Sequence, residues 1–335
     1  MNEIDFVILW VDSNDVEWRN SYLAYKELDS KNIYGTSVNR FRDWNNLNYW
    51  FRSVEENCPW VRKIHLVTSG HFPLWLKKDH PKLNLVKHSD FIDDAFLPTF
   101  NSHTIELNIH KIKDLSDKFV YFNDDFFINK SVSEDFFFKN GLPCDYFVMD
   151  SLRQKGVDNI FGCIRHRSIS FVNQYYNKKE VIRKFFFKIY NPIYRKGFLL
   201  NMLNYPYSSF SFLKTPHLPI SYLKESFFKT WELDESFLKL VCSNKFRQPT
   251  DINQYAVRNV QLVNGFFFPV NPDIRGNFYN VRDDNISDVC LDIIEKRCNM
   301  ICLNDGELTV NFNFYSEKVL HAFNSRYPKK SSFEV

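Results

Sequence analysis

The chain has 335 residues, 44% hydrophobic and 18% aromatic, enough for one large α/β domain or a core with a smaller companion. A net charge of +3 is too weak to argue for nucleic acid, and seven cysteines with no CxxC pattern exclude a disulfide frame or an obvious zinc site. No apolar run approaches the roughly 20 residues needed to cross a bilayer, and the acidic start (Glu3, Asp5) lacks a signal peptide's basic lead, so we expect a cytoplasmic chain with reduced thiols.

Ile4 to Val11 reads as a buried strand ending at Asp12. Leu47, Trp50, Phe51, Val54 and Cys58 follow at helical spacing, with Asp43 or Asn45 as the cap and Pro59 as the stop. Lys63 to Thr68 and Leu83 to Lys87 are further strands. Ser102 to Leu115 is a helix with Ile105, Ile109 and Ile112 on one face. Phe119 to Asn123 is a fourth strand running into Asp124-Asp125, and Tyr146 to Met149 a fifth. Such alternation predicts a Rossmann-like α/β fold, mainly parallel, with helices on both faces. Ligands then bind outside the carboxyl ends of the strands, where Asp12, Thr68-Ser69-Gly70 and Asn123-Asp124-Asp125 fall.

After about residue 160 the chain becomes helical, basic and aromatic. Residues 175–207 interleave Lys178, Lys179, Arg183, Lys184, Lys188, Arg195 and Lys196 with Phe and Tyr. A helix-like stretch follows Thr215–Pro219 up to about Val241. Residues 246–257 open another helix with Thr250 as its cap, and MICLND at 300–305 is a short strand ending in Asp305. We divide the chain into a nucleotide-sugar-binding core (1–150), a variable basic and aromatic insertion on the acceptor or membrane side (151–214), C-terminal segments completing the site (215–327) and a tail (328–335).

Two adjacent carboxylates at a strand end, Asp124 and Asp125, call for a positive partner. A divalent cation bridging diphosphate oxygens supplies one, while the alternative is a solvated turn. Asp12 either holds a ribose or base edge or closes an Asx turn. Asn101, Ser102 and His103 open a helix whose N–H groups favour an anion; His103, Glu106 and His110 share a face read as solvated. His217 lies between Pro216 and Pro219, which fix its direction, and can accept a hydroxyl proton. Arg247, with Arg258 nearby, can neutralise a phosphoryl group.

In order, IDFVILWVDSND (4–15), the long block from RFRDWNNLNYWF at 40 to about 137, TPHLPISYLKESF (215–227) with FRQPTDI, and MICLNDGE (300–307) resemble the Stealth family of sugar-1-phosphate transferases. The resemblance covers about half the chain, and residues 140–214 match no part of it. It implies a nucleotide-sugar donor, taken as UDP-linked, whose sugar-bearing phosphorus is attacked by an acceptor sugar hydroxyl, leaving a nucleoside monophosphate. It implies donor contacts from Asp12, Asn101, Ser102 and His103, Mg²⁺ or Mn²⁺ on Asp124, Asp125 and Asp305, His217 as base and Arg247 as clamp, with Asp125 also catalytic. It further implies a bacterial polysaccharide enzyme with a lipid-linked acceptor at the inner face of the membrane. Two rivals remain open at this point. One is a metal-dependent glycosyltransferase releasing nucleoside diphosphate. The other is a non-catalytic subunit of an assembly complex.

Overall fold

The computed structural model describes residues 3–28, 42–152, 159–305 and 311–335. Strand β1 (Ile4–Leu9) is buried along nearly its whole length. It tolerates Asp5 because Arg62 Nε and His65 Nε2 lie 2.8 and 3.0 Å from that carboxylate. Burial alone would raise the Asp5 pKa, but hydrogen bonds from His65, Arg62 and Ser116 outweigh it and hold the group below its ordinary value.

Helices α1 (Val16–Leu28) and α2 (Leu47–Asn57) follow, then β2 (Ile64–Thr68) and β3 (Leu83–Lys87). The short α3 (Ser102–Asn108) precedes β4 (Lys118–Phe122), β5 (Phe126–Ile128), β6 (Phe138–Lys139) and β7 (Leu142–Asp145). Three helices come next, α4 (Ile160–Tyr175), α5 (Lys178–Ile189) and α6 (Lys196–Asn204). Strand β8 (Ile220–Leu223) leads into α7 (Lys224–Leu233), α8 (Glu235–Ser243) and α9 (Gln254–Val263). The remaining elements are β9 (Phe268–Pro269), β10 (Asn277–Asn280), α10 (Ile286–Glu295), β11 (Met300–Asn304) and α11 (Phe312–Arg326).

The main sheet has the order β3-β2-β1-β4-β8. The first four strands are parallel, and β8 runs antiparallel to β4. This is the Rossmann-like α/β arrangement expected. Along β1 the side chains alternate between two cores. Val7 joins the one built with α3, α7, α8 and α9, whereas Phe6 and Ile8 join the one holding α2, α10 and α11. The chain steps outward from β1 through β2 to β3, then returns to β4 on the other side of β1. The β1/β4 gap is therefore the topological switch point, where such sheets leave a crevice. A second sheet, β10-β11-β5, continues from β4 and sets β11 against the chain just past that crevice.

Several local expectations are corrected. Asn46, not Asp43 or Asn45, precedes α2, and it makes no side-chain cap. Helix α3 stops at Asn108 and tightens into a 3-10 turn at Ile109–Lys111. The Asn253 side chain, not Thr250, caps α9. The fifth strand is Leu142–Asp145. Residues 146–149 are buried, but their backbone bonds go mostly to side chains (Asp145, Arg258, Asn201 and Asn204), with Lys214 N on the Val148 carbonyl and a Met149–Leu213 bridge. The face carrying His103, Glu106 and His110 is buried, not solvated. Residues 328–335 stay largely exposed but are anchored at two points: Phe333 sits in the core, and Glu334 takes a bidentate pair from Arg52 at 2.8 and 2.6 Å. No helix among the described residues is long and apolar enough to cross a membrane.

Candidate active site

Parallel pairing brings the ends of β1, β2 and β4 to one edge. Asp12, past β1, closes an Asx turn with Asn14 N at 2.8 Å, so the local reading holds. Its own N–H donates to His71 Nε2 at 2.7 Å. Gly70, with φ +136°, turns the chain after β2 and lets His71 reach back. Because His71 Nε2 accepts, its proton sits on Nδ1, 3.2 Å from Ser69 Oγ. Burial holds this imidazole neutral by lowering its pKa, against a smaller pull from Asp15 and Asp12.

Asp124 and Asp125 follow β4 in the turn to β5. Asp43 joins them: burial and then, less strongly, Asp12 raise its carboxyl, and Asp43 in turn raises Asp124. Asp124 keeps a solvent-exposed edge, but the walls of the crevice crowd its carboxyl. That desolvation, then Asp125 and Asp43, push its pKa up to about 8. Burial likewise raises Asp125, with His217 and Cys302 opposing. The buried carboxylates Asp5 and Asp145 each have an arginine, whereas among the described residues no Lys or Arg pairs with Asp43, Asp124 or Asp125. Asp125 Oδ1 is buried with no hydrogen-bond partner. Uncompensated acidic charge with a free carboxylate oxygen fits a hard divalent cation that keeps most of its other ligands as water or phosphate.

Asp125, His217 and Cys302 also lie with their ligand atoms within 4.8 Å of one another. We do not read this trio as a soft-metal site. Burial and then Asp125 push the Cys302 thiol well above its usual pKa, so it stays protonated and donates to Asp125 Oδ2 at 3.3 Å.

His217 reaches the edge because β8 is antiparallel to β4. Pairing Tyr121 with Ile220 sets the residues just before β8 beside the carboxyl end of β4. Phe126 and Phe278 hold the ring edge-on, with centroids at 5.4 and 5.1 Å. Nδ1 lies 3.1 Å from Tyr255 Oη, which lies 3.4 Å from Pro216 O. The proton arrangement satisfying both contacts has Nδ1–H donating to Tyr255 and the phenol donating to Pro216, leaving Nε2 bare. Burial lowers the His217 pKa. Asp125 and Glu106 oppose that, and Arg165 and Arg247 reinforce it. The ring is thus a neutral base at pH 7.

Arg247 lies close enough to His217 for its charge to lower that pKa. Its Nη2 donates to Ser102 Oγ at 2.7 Å, and Ser102 donates to Glu106 Oε1 at 3.0 Å. Among the described residues no carboxylate pairs with its guanidinium directly, which leaves it free to meet an anion.

Some expected site residues are placed elsewhere. Asn101 and His103, expected at the donor, are buried beneath the site and used up by Asp251. The Asp251 carboxylate takes Asn101 Nδ2 at 2.9 Å, Gln248 N at 2.9 Å and Asn244 Nδ2 at 2.7 Å, and His103 Nδ1 lies 3.1 Å away. They fix the loop that carries Arg247. Asp305 lies at the same edge, since Leu303 N bonds Asp125 O, but Arg42 binds its carboxylate bidentately at 2.8 and 2.9 Å. That pairing removes it from the free acidic cluster. Arg258 is fully buried on Asp145, at 2.8 and 2.7 Å, and cannot meet a ligand. Sequence reasoning overlooked Asp43, Tyr255 and Asp251. The charges of RFRD among aromatic residues were the available signal for Asp43.

The family description "Stealth protein CR2, conserved region 2" matches residues 40–145, which include Asp43, Asn101, Asp124 and Asp125. The chain is 38% identical over 341 residues to the capsular polysaccharide phosphotransferase WcwK of Streptococcus pneumoniae, covering 100% of this chain and 98% of that protein. It is 35% identical over 336 residues to the exopolysaccharide phosphotransferase cps2G of Lactiplantibacillus plantarum (99% and 96% covered), and 31% identical over 344 residues to the receptor polysaccharide phosphotransferase WefC of Streptococcus oralis (100% of both). Among solved structures it is similar to the galactosyltransferase LgtC in complex with donor and acceptor sugar analogs, with 13% identity, 95% of each chain covered and a TM-score of 0.39; this likeness is too distant to bear on the site. Full-length similarity at this level, with the matched region spanning the acidic edge, makes the chain a member of the Stealth family of polysaccharide phosphotransferases.

Proposed function

We propose that this enzyme transfers a hexose-1-phosphate or N-acetylhexosamine-1-phosphate from a nucleotide-sugar, taken as UDP-linked, to a sugar hydroxyl during bacterial capsule or cell-surface polysaccharide synthesis. The observation that carries the reading is a neutral His217 that feels both Asp125, from an acidic cluster with no Lys or Arg partner among the described residues, and the cation Arg247. An acceptor hydroxyl gives its proton to His217 Nε2 as its oxygen attacks the phosphorus that bears the donor sugar. The bond from that phosphorus to the bridging oxygen breaks, and nucleoside monophosphate departs with that oxygen. Negative charge develops on the phosphoryl oxygens, and the free fork of Arg247 meets it.

Asp124 and Asp125, with Asp43 beside them, would hold Mg²⁺ or Mn²⁺, which when bound neutralises diphosphate charge. Asp12 is the remaining candidate from the first strand for the nucleoside. Ser102 supports Arg247, while Asn101 and His103 hold the loop beneath it. The acceptor is proposed to be lipid-linked, which puts the enzyme at the cytoplasmic face of the membrane. Phosphorus-31 NMR of the product tests the reaction. A sugar–phosphate–sugar diester resonance is expected, retaining the donor's proximal phosphorus. A product without that new diester resonance would overturn the reading in favour of plain glycosyl transfer.

A further inference from the structure

Helices α5 and α6 present a surface that the reaction does not use. Among the described residues, eight of the twenty-one exposed large apolar side chains lie between Phe186 and Tyr207, far more than an even spread would leave there. Phe187 is 84% and Leu203 71% exposed. These side chains do not come from a frayed segment. Lys178 Nζ binds the carbonyls of Asn204 and Tyr207 at 2.5 and 2.9 Å, and Asn201 Nδ2 lies 2.6 Å from the Ile189 carbonyl, so the two helices are pinned together. Phe186 packs on Tyr190 at 4.9 Å and Tyr190 on Tyr205 at 6.2 Å, which joins the helices into one aromatic strip.

Five exposed cations lie on the same helices and the turn between them: Lys179, Arg183, Lys184, Lys196 and Arg195, the last 3.8 Å from the exposed Asp273 carboxylate. Glu180 is the one acidic residue from 178 to 207. The structure also separates the lysines that sequence alone would group together. Lys178 and Lys188 point inward, the latter onto the carbonyls of Gly265 and Phe267 at 2.7 and 3.0 Å, and belong to the fold.

We propose that this face docks the enzyme on an anionic membrane surface. Aromatic and aliphatic side chains fixed in an exposed strip suit the headgroup level, and cations on the same helices suit anionic lipid. A second copy of the chain fits poorly, because a two-fold contact would set the same five cations against themselves. A chain of contacts also leads from the face toward the site. Ser211 Oγ lies 2.7 Å from Asn204 Oδ1 at the end of α6 and 2.9 Å from the Asp150 carbonyl. Asp150 lines a cavity of about 400 Å³ with Arg165 and Lys214, and the charge of Arg165 is felt at His217. Entry of a lipid-linked acceptor by this route rests on the proposed reaction; the docking itself does not.

Co-sedimentation with vesicles tests it, using phosphatidylcholine alone or mixed with phosphatidylglycerol. The wild type should sediment with the mixed vesicles, at least about tenfold more weakly with the neutral ones, and less at high salt. Two variants are needed, F187S/L203S and K179Q/R183Q/K184Q/K196Q, all at exposed positions whose loss should leave the fold's melting temperature unchanged. Each should lose at least about tenfold in partitioning while releasing nucleotide normally with a soluble acceptor. Wild-type partitioning by both variants, or no vesicle binding by the wild type, overturns the proposal. So does a wild-type dimer in sedimentation velocity that both variants dissociate, which would make the face a self-interface.

Discussion

Asp124→Asn should stabilise the metal-free protein while abolishing activity. The Asp124 carboxyl, raised to about 8 by desolvation and then by Asp125 and Asp43, holds a proton in the folded state that the unfolded chain has released. Between its ordinary value of 3.8 and about 8, the folded state therefore binds more protons, and stability falls as pH rises through that window. Above it the penalty is constant. Because the group is open to solvent, screening leaves only about 1–2 kcal/mol of that penalty. At this chain length the unfolding entropy is about 0.7 kcal/mol/K, so the variant should melt about 1.5–3 °C above wild type at pH 8.5 and by only about a third of that at pH 5. Thermal scans in chelator at both pH values measure this. Added Mg²⁺ or Mn²⁺ should then raise the wild type's melting temperature and leave the variant's unchanged. A variant that melts no higher at pH 8.5, or gains as much at pH 5, would refute the account of an uncompensated acidic cluster.

His217→Ala and Arg247→Ala should each lower kcat by about 10²–10⁴-fold with donor Kd near normal, measured by steady-state kinetics and calorimetry. Since burial lowers the His217 pKa, the acid limb of kcat/KM should fall below pH 6.5, and a limb above 6.5 would contradict the neutral base. Asp251→Ala strips a buried acceptor from Asn101, Asn244 and Gln248. It should cost about 3 kcal/mol or more in urea unfolding and also lower kcat by freeing the Arg247 loop. Arg258→Met leaves Asp145 buried and unpaired at a cost of about 3–5 kcal/mol, and adding Asp145→Leu should recover much of it.

The parallel core was legible because its strands are short apolar runs bounded by polar turns, as at Lys63–Thr68 and Leu83–Lys87. Strand β8 was not, since ISYL is four residues long and passes for the start of the following helix. Its antiparallel pairing is nonetheless what carries His217 to the acidic edge. Residues 146–149 failed for the opposite reason. Their burial mimics a strand, while a side chain 52 residues on supplies one of the backbone bonds. At the candidate site, Asp12, Asp124, Asp125, His217 and Arg247 stood out in the sequence because they follow strand ends or sit beside prolines, and the structure sets Asp12, Asp124, Asp125 and His217 at one edge of the sheet. Asn101 and His103 carried the same marks, yet Asp251, about 150 positions away, consumes them. Asp305 is paired likewise, by Arg42 from 263 positions away. Long-range pairing of this kind leaves no trace in local spacing.

The central claim is that attack falls on phosphorus, and the nucleoside product reports it most directly. The purified enzyme should be incubated with a panel of nucleotide-sugars, acceptor and Mg²⁺ or Mn²⁺, and the released nucleotide identified by mass spectrometry. Nucleoside monophosphate, formed in step with product and lost in His217→Ala, is the predicted result; nucleoside diphosphate as the stoichiometric product would contradict the account.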